Sequence, residues 1–241
     1  MNPIFKTFSV KGNLSKTNSD YIQTKSLAEG WIGIVCDGVG EIIGEESAGK
    51  LCADIMIDLI EKSIEPDPLK KMKYAIEETN QYLYSLKGEK LNTVQNVTTL
   101  AVLYLFNHTA CWGHVGDSRI YKLKNGRLSY LTKDHSVIQE LVDGGFLTLK
   151  EATLHSGTNV IGRAMGEKSA VIADVSKLHL QPVDKNRFFL CTDGVTNFIT
   201  DAEIENCLQN DSIEESSGAL ISLINKNDIV DDTSFMIVDA T

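Results

Sequence analysis

One stretch constrains the fold of this chain more than any other: Trp31-Ile32-Gly33-Ile34-Val35-Cys36-Asp37-Gly38-Val39-Gly40. Its first residues are mostly apolar and glycines follow, which is the pattern of a strand buried inside a sheet. An aspartate at the end of such a strand projects to the edge of the sheet, where a ligand can reach it. We therefore take Asp37 as a candidate metal ligand, and the rest of the sequence tests this hypothesis.

Length and composition predict one globular domain. The chain has 241 residues, of which 42% are hydrophobic and 23% are charged. A chain of this size buries a substantial core, and we expect a single domain over residues 1–241. The sequence contains no run of about 18 apolar residues, and its first residues do not follow the plan of a signal peptide. We therefore expect a cytoplasmic protein with no membrane partner.

The charge and the cysteines exclude several classes of protein. The formal net charge of −10 disfavours a nucleic-acid or anionic-membrane partner, because either needs clustered lysines and arginines to neutralise phosphate. The cysteines are odd in number, widely spaced and without a CxxC pair, which argues against a disulfide framework and a zinc knuckle. We expect five reduced core residues: Cys36, Cys52, Cys111, Cys191 and Cys207.

The first half of the chain predicts strands followed by two helices. Residues 4–11 and 21–26 have the composition of strands, and the strand at Trp31 follows them. Residues 47–61 place apolar side chains at helical spacing, which predicts an amphipathic helix. A second helix is predicted after Pro68, with one apolar side formed by Met72, Ala75, Ile76, Thr79, Tyr82 and Leu83.

The second half changes character at Thr98. Four short strand-like runs separated by tight turns predict an antiparallel meander: 98–106, 110–115, 120–123 and 128–131. Residues 143–166 are irregular and contain glycines, and the segment is long enough to form a flap. Because strand runs are grouped apart from helix runs, we expect an α+β layered domain. The remaining predicted elements are helices at 137–142, 201–208 and 213–224, and strands at 171–180, 187–191 and 234–238.

Five aspartates recur where an apolar strand meets a turn: Asp20, Asp37, Asp117, Asp193 and Asp231. Aspartate is common at turns because its side chain bonds nearby backbone amides, so any single one could be a turn former. The recurrence is harder to explain in that way. Two of the five are followed by glycine, which allows a tight backbone whose carbonyl can itself bind a cation.

Convergence of these carboxylates would require cations. Like charges a few ångströms apart in a partly desolvated site cannot all stay ionised on their own. Oxygen ligands with no partner cysteine or histidine select Mg²⁺ or Mn²⁺ over Zn²⁺. Two such ions about 3.5–4 Å apart lower the pKa of a bridging water and clamp a phosphoryl oxygen, which is the two-metal arrangement of phosphate-ester hydrolysis.

The motifs that contain these aspartates occur in an order that resembles a known family, the metal-dependent protein phosphatases of type 2C, or PPM family, in their compact bacterial form. The resemblance covers nearly the whole chain. It rests on Asn18-Ser19-Asp20, Val35-Cys36-Asp37-Gly38-Val39-Gly40 with Gly44-Glu45, Thr98-Thr99-Leu100, Gly113-His114-Val115-Gly116-Asp117-Ser118-Arg119, Leu131-Thr132-Lys133-Asp134-His135-Ser136, Asn159-Val160-Ile161-Gly162-Arg163-Ala164-Met165-Gly166, Leu190-Cys191-Thr192-Asp193-Gly194-Val195 and Asp231-Asp232-Thr233-Ser234.

The resemblance implies a fold, a reaction and a set of partners. The fold is a sandwich of two antiparallel β-sheets flanked by α-helices on both sides. The reaction is hydrolysis of phosphoserine and phosphothreonine by a metal-activated water, without a covalent phosphoenzyme. The implied cofactors are two or three Mn²⁺ or Mg²⁺ ions. The implied partners are phosphorylated proteins, in signal transduction opposed to a Ser/Thr kinase, and we expect a monomer.

The resemblance also implies the metal ligands. By analogy Asp37 bridges two ions, and the carbonyl of Gly38 joins it. Asp193 and Asp231 complete the set of one ion, and these two residues with Asp37 form the implied catalytic set. Asp20 matches the acid near the other ion. The resemblance implies a third ion for Asp117, with Asp193 as its second ligand.

One departure concerns substrate binding. The family usually has an arginine for the substrate phosphate where this chain has Ser15, three residues after Gly12. Lys16 is adjacent, but an ammonium group cannot reproduce a bidentate guanidinium. Lys16 and Arg163 are the candidate substrate-binding residues, and we expect weakened phosphate affinity with intact chemistry. Asp232 stands where asparagine is common, and the sequence leaves open whether it binds metal or supports a ligand.

Two other residues of the motifs have structural interpretations. We expect His135 to be hydrogen-bonded and structural, and Arg119 to pair with a carboxylate.

The leading function is a metal-dependent serine/threonine phosphatase. The alternatives are a catalytically weak phosphoprotein-binding module of the same fold and a metal-dependent phosphodiesterase or nuclease. The retained aspartates favour the enzyme, and the acidic net charge disfavours the nuclease.

Overall fold

The computed structural model describes residues 3–38, 47–86, 97–148, 151–152, 160–181 and 185–240. Val39 and Gly40, at the end of the stretch 31–40, lie outside these ranges, as do residues 149–150 and 153–159 of the predicted flap. The strands are β1 (Ile4–Val10), β2 (Tyr21–Leu27), β3 (Gly30–Cys36), β4 (Leu100–Phe106), β5 (Thr109–Val115), β6 (Arg119–Lys124), β7 (Arg127–Tyr130), β8 (Asp174–His179), β9 (Asn186–Cys191) and β10 (Thr233–Ala240). The helices are α1 (Ala48–Lys62), α2 (Pro68–Ser85), α3 (Val137–Asp143), α4 (Asp193–Thr196), α5 (Asp201–Leu208) and α6 (Ile213–Ile224).

The strands form two antiparallel five-stranded sheets. One sheet has the order β1-β10-β9-β6-β7, and the other has the order β2-β3-β4-β5-β8. Helices α1 and α2 pack on the second sheet, and α5 and α6 belong to the apolar layer outside the first. The predicted α+β sandwich with helices on both sides is confirmed. None of the helices in the described ranges combines the length and apolarity needed to cross a membrane.

Strand β3 lies inside the second sheet, between β2 and β4, and is buried along its whole length. Its side chains alternate between two apolar layers, as the period of a strand requires. Trp31 and Val35 face the layer between the sheets, whereas Ile32 and Ile34 face the layer under α1 and α2. The prediction of a strand inside the sheet at residues 31–36 is therefore confirmed.

Both helices of the first half form where the sequence predicts them. The Ser47 hydroxyl accepts a hydrogen bond from the backbone of Lys50 at the start of α1, and Asp67 caps α2 immediately before a proline. One residue of the predicted apolar side is misplaced, because Tyr82 is 48% exposed. Asn80 is buried instead, because both polar groups of its side chain bond to backbone atoms of residues 166 and 168.

The predicted four-stranded meander is wrong. Strands β4 and β5 form one hairpin and β6 and β7 form another, but the two hairpins belong to different sheets. The chain crosses between the sheets at Gly116-Asp117-Ser118. Gly116 has a positive φ of 107°, and a Cβ there would lie 2.6 Å from a methyl group of Thr99. This crossing turn places Asp117 at the same end of the sandwich as the end of β3.

The other boundaries differ in smaller ways. The tight turns predicted at 107–108 and 125–126 are present, with positive φ at both of their central residues. The strand predicted at 171–180 is shorter and covers Asp174–His179. The sequence does not predict the four-residue helix α4, because one helical turn has no apolar periodicity of its own.

A buried arginine joins the first sheet to its helices. The guanidinium of Arg187 makes two parallel bonds to the carboxylate of Asp239, at 2.6 and 2.7 Å. Its remaining nitrogen donates to the carbonyls of Leu208 and Asn210 and to the hydroxyl of Ser216. Because the side chain of Arg187 is only 2% exposed, removing it would leave a carboxylate and several acceptors unpaired.

We therefore expect Arg187→Met to lower the free energy of unfolding by about 3–5 kcal/mol, the usual cost of breaking a buried ion pair. The matched control is Lys25→Met, which removes a cation from the exposed pair with Glu61. That change should cost no more than about 1 kcal/mol. Urea unfolding of both variants measures the difference, and equal costs would contradict the proposed contribution of Arg187.

Candidate metal centre

The five aspartates singled out in the sequence lie at one end of the sandwich. Asp20 precedes β2 and Asp37 follows β3, and the register of these two strands places the residues side by side. Asp193 begins α4 directly after β9, and Asp231 lies just before β10. Asp117 occupies the crossing turn. The charges of the other four all act on the carboxyl group of Asp37, so the structure brings the five together.

Burial and mutual repulsion shift the pKa values of these carboxyl groups. Burial is the largest cause and raises the pKa of Asp37 well above its usual value, and the other four aspartates add to the shift. Burial likewise raises the pKa of Asp20 and of Asp117 to about 7 in each case. The pKa of Asp231 is also raised, by burial and by Asp193. Protein groups alone do not compensate the charge of this cluster.

Three of the carboxylates each have one buried oxygen without a hydrogen-bond partner. Thr192 donates to Oδ2 of Asp20 at 2.9 Å, and Asn197 donates to Oδ2 of Asp193 at 3.1 Å. The Oδ1 atoms of Asp20, Asp193 and Asp117 are buried and have no hydrogen-bond partner among the described residues. Unpartnered buried oxygens are costly, and hard oxygen donors are the ligands that Mg²⁺ and Mn²⁺ prefer. The donor set fits divalent cations.

The two Asp-Gly pairs allow close approach of the backbone. A Cβ on Gly38 would lie 2.7 Å from the carbonyl oxygen of Ser19, the residue before Asp20. A Cβ on Gly194 would lie 2.1 Å from the carbonyl oxygen of Asp232. Glycine is therefore required at both positions so that the chain segments that carry Asp20 and Asp231 can pack against the strand ends.

Asp232 holds the loop between β1 and β2. Its Oδ1 accepts from the backbone of Gly12 at 2.9 Å, and its Oδ2 accepts from the backbone and the hydroxyl of Ser19 at 2.7 and 2.8 Å. The residue is only 3% exposed. The loop therefore engages both oxygens, and Asp232 holds Ser19, the residue directly before Asp20, in place.

The two predicted substrate-binding residues, Lys16 and Arg163, both lie on loops. Lys16 is exposed on the loop that Asp232 holds, and the ammonium group of Lys11 donates to the carbonyls of Gly12 and Ser15. Arg163 is half-buried, and its charge acts on the neighbouring His135. The substrate-binding roles of Lys16 and Arg163 stay predictions.

His135 and Arg119 are held as expected. The backbone nitrogen of Gly116 donates to Nδ1 of His135, and the backbone of His135 donates to the carbonyl of Gly116. Arg119 makes two parallel bonds to Asp134 at 2.8 and 2.7 Å. Both residues therefore stabilise the segments around the crossing turn that carries Asp117.

His135 also lies near His114 and Asp174, and one potential ligand atom from each of the three lies within 4.8 Å of the others. The bond from Gly116 to Nδ1 fixes the neutral ring with its proton on Nε2, which faces Asp174 at 3.4 Å. Burial lowers the pKa of His135, in keeping with a neutral ring. Nε2 of His135 is then a hydrogen-bond donor and has no lone pair for a metal ion. His114, His135 and Asp174 therefore do not form a three-ligand metal site.

The comparison with known proteins agrees with this geometry. The family model described as Protein phosphatase 2C matches residues 15–226. A Streptococcus pyogenes protein named for the protein phosphatase 2C type is 30% identical, over 94% of this chain and 93% of its own. The chain therefore belongs to the protein phosphatase 2C family, as the motifs predict.

Solved structures show the same fold. The Mycobacterium tuberculosis serine/threonine phosphatase PstP has a TM-score of 0.81 and 25% identity, and the match covers 98% of both chains. A structure of the PstP catalytic domain in complex with two manganese ions has the same TM-score and identity, and the match covers 98% of this chain and 97% of that one. The family and fold are thus established by sequence and by structure.

Asp232→Asn tests the role of the buried carboxylate. An amide has only one acceptor oxygen, so its nitrogen would face a backbone N–H of Gly12 or Ser19 in either orientation. We expect a loss of about 1–3 kcal/mol in the free energy of unfolding. Thermal or urea unfolding of the metal-free protein measures it. Unchanged stability would show that the loop is held by other contacts.

Proposed function

We propose that this chain is a metal-dependent protein-serine/threonine phosphatase that hydrolyses phosphoserine and phosphothreonine. The observation that carries the proposal is the group of buried, unpartnered oxygens on Asp20, Asp117 and Asp193, three residues whose charges all act on Asp37. Membership of the protein phosphatase 2C family and the serine/threonine phosphatase activity named for PstP support it. We further propose that the chain acts as one domain on phosphorylated proteins, as a monomer opposed to a Ser/Thr kinase.

The proposed ligands divide between two or three Mn²⁺ or Mg²⁺ ions. Asp37 and the carbonyl of Gly38 are shared near the centre, Asp193 and Asp231 lie on the side of the first sheet, and Asp20 lies on the side of the second. Asp117, on the crossing turn, is the proposed ligand of a third ion together with Asp193. The two manganese ions of the PstP structure support this assignment. Bound cations of this kind lower the pKa of water and neutralise charge on a phosphoryl group.

The protein residues hold the ligands in place before cations bind. The hydroxyl of Thr192 and the amide of Asn197 each bond one oxygen of a carboxylate and leave the other oxygen buried and without a partner. The hydroxyl of Thr99 accepts from the backbone of Asp37 at 2.9 Å. Such outer contacts restrict the rotamers of the ligands, which increases the affinity for the metal.

This arrangement disfavours the two alternatives. A binding module without catalysis has no need to keep five carboxylates close together, three of them with a buried unpartnered oxygen that reduces stability. A nuclease needs cationic groups along the nucleic-acid backbone, and the net charge of the chain is −10. The departure at Ser15 affects how phosphate is held and leaves the proposed metal ligands intact.

Asp37→Asn should abolish phosphate release from a phosphothreonine peptide in the presence of Mn²⁺. We expect a loss on the order of 10³-fold, because a metal supplies several kcal/mol of transition-state stabilisation. EDTA should have the same effect on the unmodified protein. The matched control is Asp54→Asn on α1, whose carboxylate bonds Lys50 and Gln23 at the surface. Activity that survives both EDTA and Asp37→Asn would refute the proposal.

Ser15→Arg should lower the Michaelis constant for a phosphopeptide and leave kcat unchanged. A guanidinium group binds a phosphate through two parallel hydrogen bonds, which the serine cannot provide. Steady-state kinetics at saturating Mn²⁺ separate the two parameters. An unchanged Michaelis constant would show that this loop does not hold the phosphate, and Lys16→Ala tests the adjacent lysine in the same assay.

A further inference from the structure

The peptide group between Asp37 and Gly38 is held from the neighbouring strand. Its carbonyl oxygen accepts one bond from the backbone of Thr99 and another from the hydroxyl of Thr98, both at 2.8 Å. The backbone bond continues the pairing of β3 with β4. The hydroxyl bond is additional to that pairing, and it comes from a side chain that is fully buried. The same hydroxyl lies 3.1 Å from the carbonyl of Thr99, a longer contact.

The bond from the Thr98 hydroxyl matters because the residue after Asp37 is a glycine. Gly38 has no Cβ, so the backbone on its side of the peptide group has unusually wide conformational freedom. Rotation about the bonds that flank the peptide group would change where the Gly38 carbonyl lies relative to the Asp37 side chain. Two hydrogen bonds to one oxygen restrict that rotation more than one bond does.

Thr98 is itself fixed to helix α2 through the end of the predicted flap. Its backbone exchanges two hydrogen bonds with Met165, at 2.8 and 3.2 Å. The next residue, Gly166, donates to the side chain of Asn80 at 2.8 Å, and Asn80 donates to the carbonyl of Lys168 at 3.0 Å. Asn80 is 1% exposed. The hydroxyl of Thr98 is thus presented to Asp37 from a rigid support.

We propose that Thr98 is a positioning residue whose hydroxyl orients the Asp37-Gly38 peptide group for binding of the divalent cations. The inference rests on the proposed function, because it concerns the same metal centre. Thr98 acts through Asp37 and Gly38 and contacts neither cation nor substrate. It also connects the metal centre with residues 165–168, at the exit of the predicted flap.

The test compares two substitutions at this position. Thr98→Val keeps the shape of the side chain and removes the hydroxyl, whereas Thr98→Ser keeps the hydroxyl. The dissociation constant for Mn²⁺ is measured by electron paramagnetic resonance of the free ion, and metal-free unfolding is followed in parallel. We expect Thr98→Val to weaken Mn²⁺ binding by about 10–100-fold, as loss of an outer-shell partner does. Thr98→Ser should stay within about threefold of the unmodified protein.

Thr79→Val provides the matched control. Thr79 is also fully buried, but its hydroxyl has no hydrogen-bond partner among the described residues. This variant should bind Mn²⁺ like the unmodified protein. Normal Mn²⁺ binding by Thr98→Val, or equal weakening by Thr98→Val and Thr98→Ser, would overturn the inference while the proposed function stands. Absence of Mn²⁺ binding by the unmodified protein would overturn both.

Discussion

The mutual repulsion of buried carboxylates is the constraint on which the rest of this structure depends. Asp37 receives the charges of four other aspartates, and burial strengthens each of these interactions. No cation of the described protein is placed to neutralise the cluster by direct contact with its unpartnered oxygens. The fold must therefore hold like charges together, and divalent cations are the counter-charge that its oxygen donors suit.

The sandwich achieves this by bringing chain segments from both sheets to one end. Strand β3 is buried on both faces, which fixes the position of Asp37 more firmly than an edge strand could. The crossing turn at Gly116 carries the chain from one sheet to the other and leaves Asp117 between them. A hydroxyl on one sheet, that of Thr192, bonds the carboxylate of Asp20 on the other. Packing stability and metal binding are therefore coupled.

The sequence predicted the parts of this arrangement that local patterns encode. The strand before Asp37 and the amphipathic helix α1 follow from periodicity, and the recurrence of aspartate where strands meet turns identified the five aspartates that the structure brings together. The crossing turn was missed, because a glycine-bearing turn between two strands has the same local signal as a hairpin. The contacts of Asn80, Thr98 and Asp232 join residues distant in the chain, and no local pattern reveals such pairs.

The central claim is that the aspartate cluster binds divalent cations, and anomalous scattering tests it most directly. Crystals grown with Mn²⁺ would be measured on both sides of the manganese absorption edge. The account predicts at least two anomalous peaks about 3.5–4 Å apart, with Asp37 bound to both. Peaks away from the cluster, or none in crystals that retain the fold, would contradict it.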